Sequence, residues 1–544
     1  MHIVIVYEIT FFEKVGNEMS KQSFLKGTLI LIIAGLITRI LGFINRIVVA
    51  RLIGEEGVGL YQMAVPTFVL TITITQIGLP VAISKLVAEA EAQGDRKKIK
   101  KILVVSLSIT GLLSLIFTPS MIFLAPILSE TLFTDSRVYY PLIAISPIVP
   151  IVAISSVLRG YFQGRQNMRP AAVSQVIEQV VRITLVAVFT SAFLPYGIEY
   201  AAAGAMISAV IGEFISLLYM MWMFKTKKRI KLRTNFFKAV KSGKDTFSDL
   251  MKIALPTTGS RMIGSIAWFF EPIVVVQGLA IAGVVTHMAT RQYGELTGYA
   301  MPLLFLPSFI THALSTALVP AISEAVALRQ TLLIEHRLQQ ALRLSFVSGG
   351  LAVVTLYVFA DPLMELLYGT NNAAIYIKIM APFFIFHYFQ GPLQATLQAM
   401  DLAKAAMINS FIGAAVKTAL IFVLASIPSL GIMGAALAIM IGIVLVTLLH
   451  FSTIVKVISY SFYIRDYLKS FITMIVAGFA GHYFFNYFSS DSSLALRTIM
   501  AIVITSIVYC FFLFIFNLIK KEEMEKVPYI GRPLATFLPP TKNK

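Results

Sequence analysis

Four basic side chains sit where an apolar sequence should not hold them. Arg39, Arg182, Arg261 and Lys417 each fall roughly 11–15 residues into a hydrophobic stretch; at a helical rise of about 1.5 Å per residue this places them well inside a ~30 Å hydrocarbon slab. A lone Arg or Lys at that depth costs ~2.5–3.5 kcal/mol, so four cost about 10–14 kcal/mol unless something offsets them. A polyvalent anion would do so. A guanidinium fork binds two phosphate oxygens at once, and a pyrophosphate presents several such pairs. Arg46 follows Arg39 by two helical turns on the same face, closer to the outer membrane interface. Arg39, Arg46, Arg182, Arg261 and Lys417 are therefore the candidate pyrophosphate-binding set.

Carboxylates are the competing partners. Glu178 precedes Arg182 by four residues, the spacing of an ion pair along one helix, so Arg182 is either satisfied there or serves a ligand. Glu213 and Glu271 also lie in apolar stretches and, with Glu178, are candidates for ion pairing or for coupling to Na+ or H+. Glu271 adjoins Pro272, where a kink-stabilising pair is an equal role. Arg39 and Arg261 have no acid close in sequence, which points both toward a hydrated cavity. His287, His312 and His387 show no metal-ligand spacing and Cys510 is the single cysteine, so neither a metal nor another cofactor is expected.

These residues are carried by helices that must cross a membrane. Of 544 residues 57% are hydrophobic and only 13% charged, too few polar groups to surface a water-soluble protein of this size. Apolar runs predict fourteen spans, near 24–50, 58–84, 102–128, 138–163, 170–194, 200–224, 250–285, 295–325, 341–367, 374–400, 403–426, 431–455, 467–488 and 494–519. The net charge of +18 is not a nucleic-acid footprint, because the cations concentrate in connectors after even-numbered spans: Lys85 and Arg96–Lys101, Arg165 and Arg169, the run Lys225–Lys244, Arg329 and Arg337, Lys404, and Lys456 to Lys469. By the positive-inside rule those connectors and both termini face the cytoplasm, and the run 225–244 is also placed to touch anionic lipid. The expected domains are an N-terminal cytoplasmic extension 1–23, a six-helix lobe 24–224, a basic linker 225–249, a second six-helix lobe 250–455, two additional spans in 456–519 and a cytoplasmic tail 520–544. Within the extension, residues 1–18 read as dispensable, with Met19 as an alternative start.

The two lobes are related. LPVAISKLVA (Leu79–Ala88) matches LVPAISEAVA (Leu318–Ala327) at an offset of 239; Leu158–Leu185, with LRGYFQG, matches Leu393–Leu420, with LQATLQA, at 235; GIEYAA (Gly197–Ala202) matches GIMGAA (Gly431–Ala436) at 234. An even number of spans per unit keeps both copies in one orientation, giving parallel repeats. At these offsets Arg182 corresponds to Lys417, and Arg39 in ITRILG to Arg261 in GSRMIG, which predicts two deep cations from each half.

KGTLILIIAGLITRILGFINRIVVARLIGEEGVGLYQMAVP, GLPVAISKLVAEA, SSVLRGYFQG, LPTTGSR, WFFEPIVV, RQYGELTGYAMPLL and FQGPLQATLQAMDLA together resemble the stage V sporulation protein B family, grouped with the polysaccharide and lipid II flippases in the superfamily of multidrug and toxin extrusion carriers. The resemblance covers nearly all of the chain from Met19. It implies an all-α polytopic bacterial cytoplasmic membrane protein of two lobes with alternating access, a lipid-linked sugar pyrophosphate as substrate in a spore-cortex setting, and a tail-binding role for the last two spans. Related lipid II flippases carry Ser/Thr-Arg-x-Leu-Gly-Phe, which fits Thr38–Phe43, but usually continue with Arg-Asp where this chain has Asn45-Arg46, so the outer part of the cationic site departs from that pattern. Rival readings make distinct demands. Export of cationic drugs needs an acidic cavity, whereas the buried charge here is mostly basic. A membrane glycosyltransferase needs carboxylates or His on outer loops, and the outer connectors are short. A scaffold for cell-wall synthesis proteins would tolerate loss of the buried cations.

Overall fold

The computed structural model describes residues 2–227, 243–461, 464–487 and 492–518, with side chains from residue 35 onward except 227 and 260. Most of the basic linker and the C-terminal tail lie outside the described residues, as do the side chains of the N-terminal extension, whose backbone continues into the first helix. Among the described residues the regular elements are all helical. Contacts divide the chain into residues 1–273 and 274–544.

The first unit contains α1 (His2–Gln76), α2 (Leu79–Ala92), α3 (Arg96–Ile127), α4 (Tyr139–Ile145), α5 (Ile148–Gly164), α6 (Arg169–Phe193), α7 (Ile198–Lys227) and most of α8 (Lys244–Ile281). The 75 residues of α1 are far more than the ~20 needed for one crossing, and the helix breaks at Gly54, whose φ of 66° and ψ of −175° belong to a backbone region open essentially to glycine alone. Leu250 and Ala254 of α8 complete the apolar cluster formed by α2, α3 and α5, which is why this unit extends past the expected lobe boundary at 224.

The second unit contains the end of α8, then α9 (Thr286–Gly294), α10 (Met301–Phe305), α11 (Ser308–Ala327), α12 (Thr331–Val358), α13 (Ala360–Tyr368), α14 (Ala374–Ala399), α15 (Ala403–Ala425), α16 (Ile432–Val455), α17 (Ile464–Tyr487) and α18 (Leu494–Ile515). The last two pair with each other and pack on α12, tied by a hydrogen bond from the Tyr509 hydroxyl to the Val347 carbonyl at 2.8 Å. Among the described residues, twelve segments are long and apolar enough to cross a membrane. The fourteen expected spans divide one of them, the 58-residue segment Gly35–Ala92, and add the 26-residue α14.

The matched sequence stretches pack on each other in both units. In the first, Leu79–Ala90 lies against Val157–Phe162; in the second, Leu318–Ala325 lies against Leu393–Ala399. Small residues one turn apart make this approach feasible, as in other membrane helix pairs. A Cβ on Gly160 would meet the Pro80 carbonyl at 2.9 Å, and one on Gly164 the Ser84 carbonyl at 2.6 Å; the repeat-related positions are Ala395 and Ala399. Gly164→Leu should therefore lower the thermal stability of the detergent-purified protein by about 1–3 kcal/mol, the range for overpacking. Gly111→Ala, where a Cβ meets nothing within 4 Å, should leave it unchanged or raise it. Equal melting behaviour of the two variants would show that the α2–α5 contact does not limit stability.

Candidate functional site

On α1, Arg39, Gly42 and Arg46 share one face by their spacing of three and four residues. A Cβ on Gly42 would stand 3.8 Å from Oε1 of Gln179 on α6, so this face borders the charged turn of α6. Arg39 and Arg46 are exposed, and among the described residues neither forms an ion pair. Between them Asn45 is buried, and its Oδ1 has no hydrogen-bond partner.

The neighbouring charges are arranged differently. Arg182 pairs with Glu178 one turn away on α6, so the local pair expected from the i, i+4 spacing is present. Glu213 on α7 accepts a hydrogen bond from Nη2 of Arg159 on α5 at 2.8 Å. Gly212 brings α7 against α6, since a Cβ there would meet the Glu178 carbonyl at 2.9 Å. The result is a patch of two arginines, two glutamates and Gln179, formally neutral. Two of the three carboxylates offered as coupling groups, Glu178 and Glu213, thus have guanidinium partners. Sequence reading missed Arg159 because it treated LRGYFQG as a repeat marker; an acid at Glu213 with no cation nearby in sequence was the signal that a distant helix supplies one.

Arg261 lies on α8, exposed and without an ion pair among the described residues. One turn later Ser265 shares a hydrogen bond with Thr73 of α1, Oγ to Oγ1, at 3.0 Å. Arg261 therefore belongs to the same unit as Arg39, Arg46 and Arg182, and the expected two-and-two division of the deep cations becomes three in the first unit, Arg39, Arg182 and Arg261, with Lys417 in the second. Lys417 is half-buried on α15 and packs over Gly442 of α16, where a Cβ would meet its own at 2.8 Å. Glu271 is buried beside Pro272.

Two further clasps lie at the helix starts. Arg137 bridges Glu56 at 2.7 Å and Asp135 at 2.9 Å. In the second unit Glu295, at an offset of 239 from Glu56, is held by Arg291 at 3.2 Å and by the Tyr376 hydroxyl at 3.3 Å.

Residues 24–326 match the polysaccharide biosynthesis protein family, and residues 296–423 match the MatE family. Stage V sporulation protein B of Bacillus subtilis (strain 168) is 63% identical over 94% of this chain and 99% of its own. The lipid II flippase MurJ of the same organism is 26% identical over 83% of this chain and 86% of its own. Among solved structures, a lipid II flippase MurJ in an inward closed conformation superposes with a TM-score of 0.67 at 18% identity, covering 90% of this chain and 99% of that one. An inward-facing MATE family multidrug resistance transporter gives 0.62 at 18% identity over 76% and 93%. The fold is that of these carriers. With more than half of its length matched and so similar a full-length relative, the chain is a multi-pass membrane protein that belongs to the polysaccharide biosynthesis protein family.

Proposed function

We propose that the chain is a flippase that carries an undecaprenyl-pyrophosphate-linked peptidoglycan precursor of the lipid II type across the cytoplasmic membrane by alternating access, in spore cortex synthesis. The observation that carries this reading is the pair Arg39 and Arg261. Both are exposed cations within apolar stretches, and no acid among the described residues pairs with them, although Arg159, Glu213, Glu178 and Arg182 of the same unit neutralise one another. Cations left over in this way suit a diphosphate that arrives and leaves. The membrane potential adds to the drive, because moving one negative charge outward against a negative interior yields about 2.3 kcal/mol per 100 mV. In this reading the basic connectors and both termini are cytoplasmic, the polyprenyl tail stays in lipid beside α17 and α18, and Glu178, Glu213 and Glu271 are the candidates for Na+ or H+ coupling. The substrate class is supported by the family and by the names of the flippase relatives.

Purified protein in vesicles, loaded on one leaflet with a lipid-linked sugar pyrophosphate, should accelerate its appearance on the other leaflet, read by an impermeant enzyme that modifies the sugar. Rates equal to those of protein-free vesicles would refute the proposal. Uptake of a cationic dye without movement of the lipid would replace it with drug export.

A further inference from the structure

Tyr139 and Tyr140 at the start of α4 and Tyr200 near the start of α7 form one cluster, at the end of the first unit opposite the basic connectors 93–101 and 165–169. The Tyr140 ring stands 5.5 Å from that of Tyr139, edge-on, and 4.6 Å from that of Tyr200. The Tyr200 hydroxyl donates to that of Tyr140 at 3.3 Å. The rings are nonetheless exposed, Tyr140 at 36% and Tyr200 at 37%, and Tyr196, one turn earlier in sequence, is at 76%. Glu199 adjoins Tyr200, and the clasped Arg137 precedes Tyr139.

Tyrosines at a membrane surface often serve only as interfacial anchors. An anchor of that kind is needed wherever a lobe meets the interface, yet within the stretch matched at offset 234 the position related to Tyr200 is Gly434. Gly434 has no room for a side chain, because a Cβ there collides with the Leu424 carbonyl. The cluster is thus a property of one lobe, and its rings contact one another instead of spreading around a girdle. Tyrosines in edge-on and tilted contact offer rigid apolar faces edged with hydroxyls, at little cost in side-chain entropy. A pyranose matches this surface, with a C–H face that lies on a ring and equatorial hydroxyls that bond to phenols and a carboxylate.

We propose that Tyr139, Tyr140 and Tyr200 form a saccharide-binding platform that takes an N-acetylhexosamine unit of the carried headgroup. This deepens the flippase reading and rests on it. The test is saturation-transfer NMR on the full chain in nanodiscs with a soluble N-acetylglucosamine trisaccharide, alongside the vesicle assay with the same variants. Wild type should transfer saturation to the sugar. The triple variant Y139A/Y140A/Y200A should bind about tenfold more weakly, the scale of losing aromatic anchors, while Y140F/Y200F, which keeps the rings, should stay within about threefold of wild type. Four results would each overturn the platform: no transfer above empty nanodiscs, unchanged affinity in the triple variant, equal losses in the Phe and Ala variants, or a triple variant that translocates the lipid-linked substrate at the wild-type rate. If wild type itself moves no lipid-linked substrate, it is the flippase reading that fails, whatever the NMR shows.

Discussion

Arg39→Ala and Arg261→Ala are each expected to abolish translocation of a lipid-linked pyrophosphate while leaving the protein folded and at normal abundance in the membrane. The two halves of this expectation come from one fact. Both guanidinium groups are exposed and bound to no acid among the described residues, so the folded state gains little from them. Removing an intramembrane charge relieves a cost of ~2.5–3.5 kcal/mol on the insertion scale. Stability should hold or rise slightly. Transport loses a charge-assisted contact to phosphate worth about 2–5 kcal/mol, thirtyfold or more in affinity. Lysine at either position keeps the charge but not the bidentate fork and should be intermediate. Full complementation of a cortex-deficient strain by both alanine variants, at wild-type protein levels, would remove these residues from the mechanism.

Arg159→Ala should do the reverse and damage the fold before it touches the substrate. It strands Glu213, whose side chain is 6% exposed, close to Glu178, which already holds Arg182. Breaking a buried pair by removing one partner typically costs 3–5 kcal/mol. Arg159 retains 23% exposure, so about 3 kcal/mol is expected. Replacing both partners, as in R159M/E213L, removes the stranded charge along with the pair and should recover most of the loss. The measurement is thermal unfolding of the detergent-purified variants as a double-mutant cycle. A single variant within about 0.5 kcal/mol of wild type would show that the contact is a surface-grade ion pair, and a double variant worse than either single would exclude the compensation.

Much of the architecture was legible in the residues. The apolar runs, their basic connectors and the three matched stretches were enough to expect an all-helical membrane protein with a repeat. The repeat has a structural counterpart, since Leu79–Ala90 and Leu318–Ala325 make the same contacts in their two units. The pair Glu178–Arg182 was also readable, because an i, i+4 contact is local and requires only that the segment be helical.

Sequence by itself determined which residues enter the membrane, which of them carry charge there and which small residues allow helices to touch, because hydrophobicity and helical period are properties of the chain taken a few turns at a time. It could not determine which charges cancel. Arg159 and Glu213 are 54 residues apart, and only the packing of α5 on α7 makes them partners. The same holds for Thr73 and Ser265, 192 residues apart, whose contact places Arg261 in the unit of Arg39. Neutralisation depends on distances of a few ångströms between different helices, and those distances exist only once tertiary packing has chosen which faces meet.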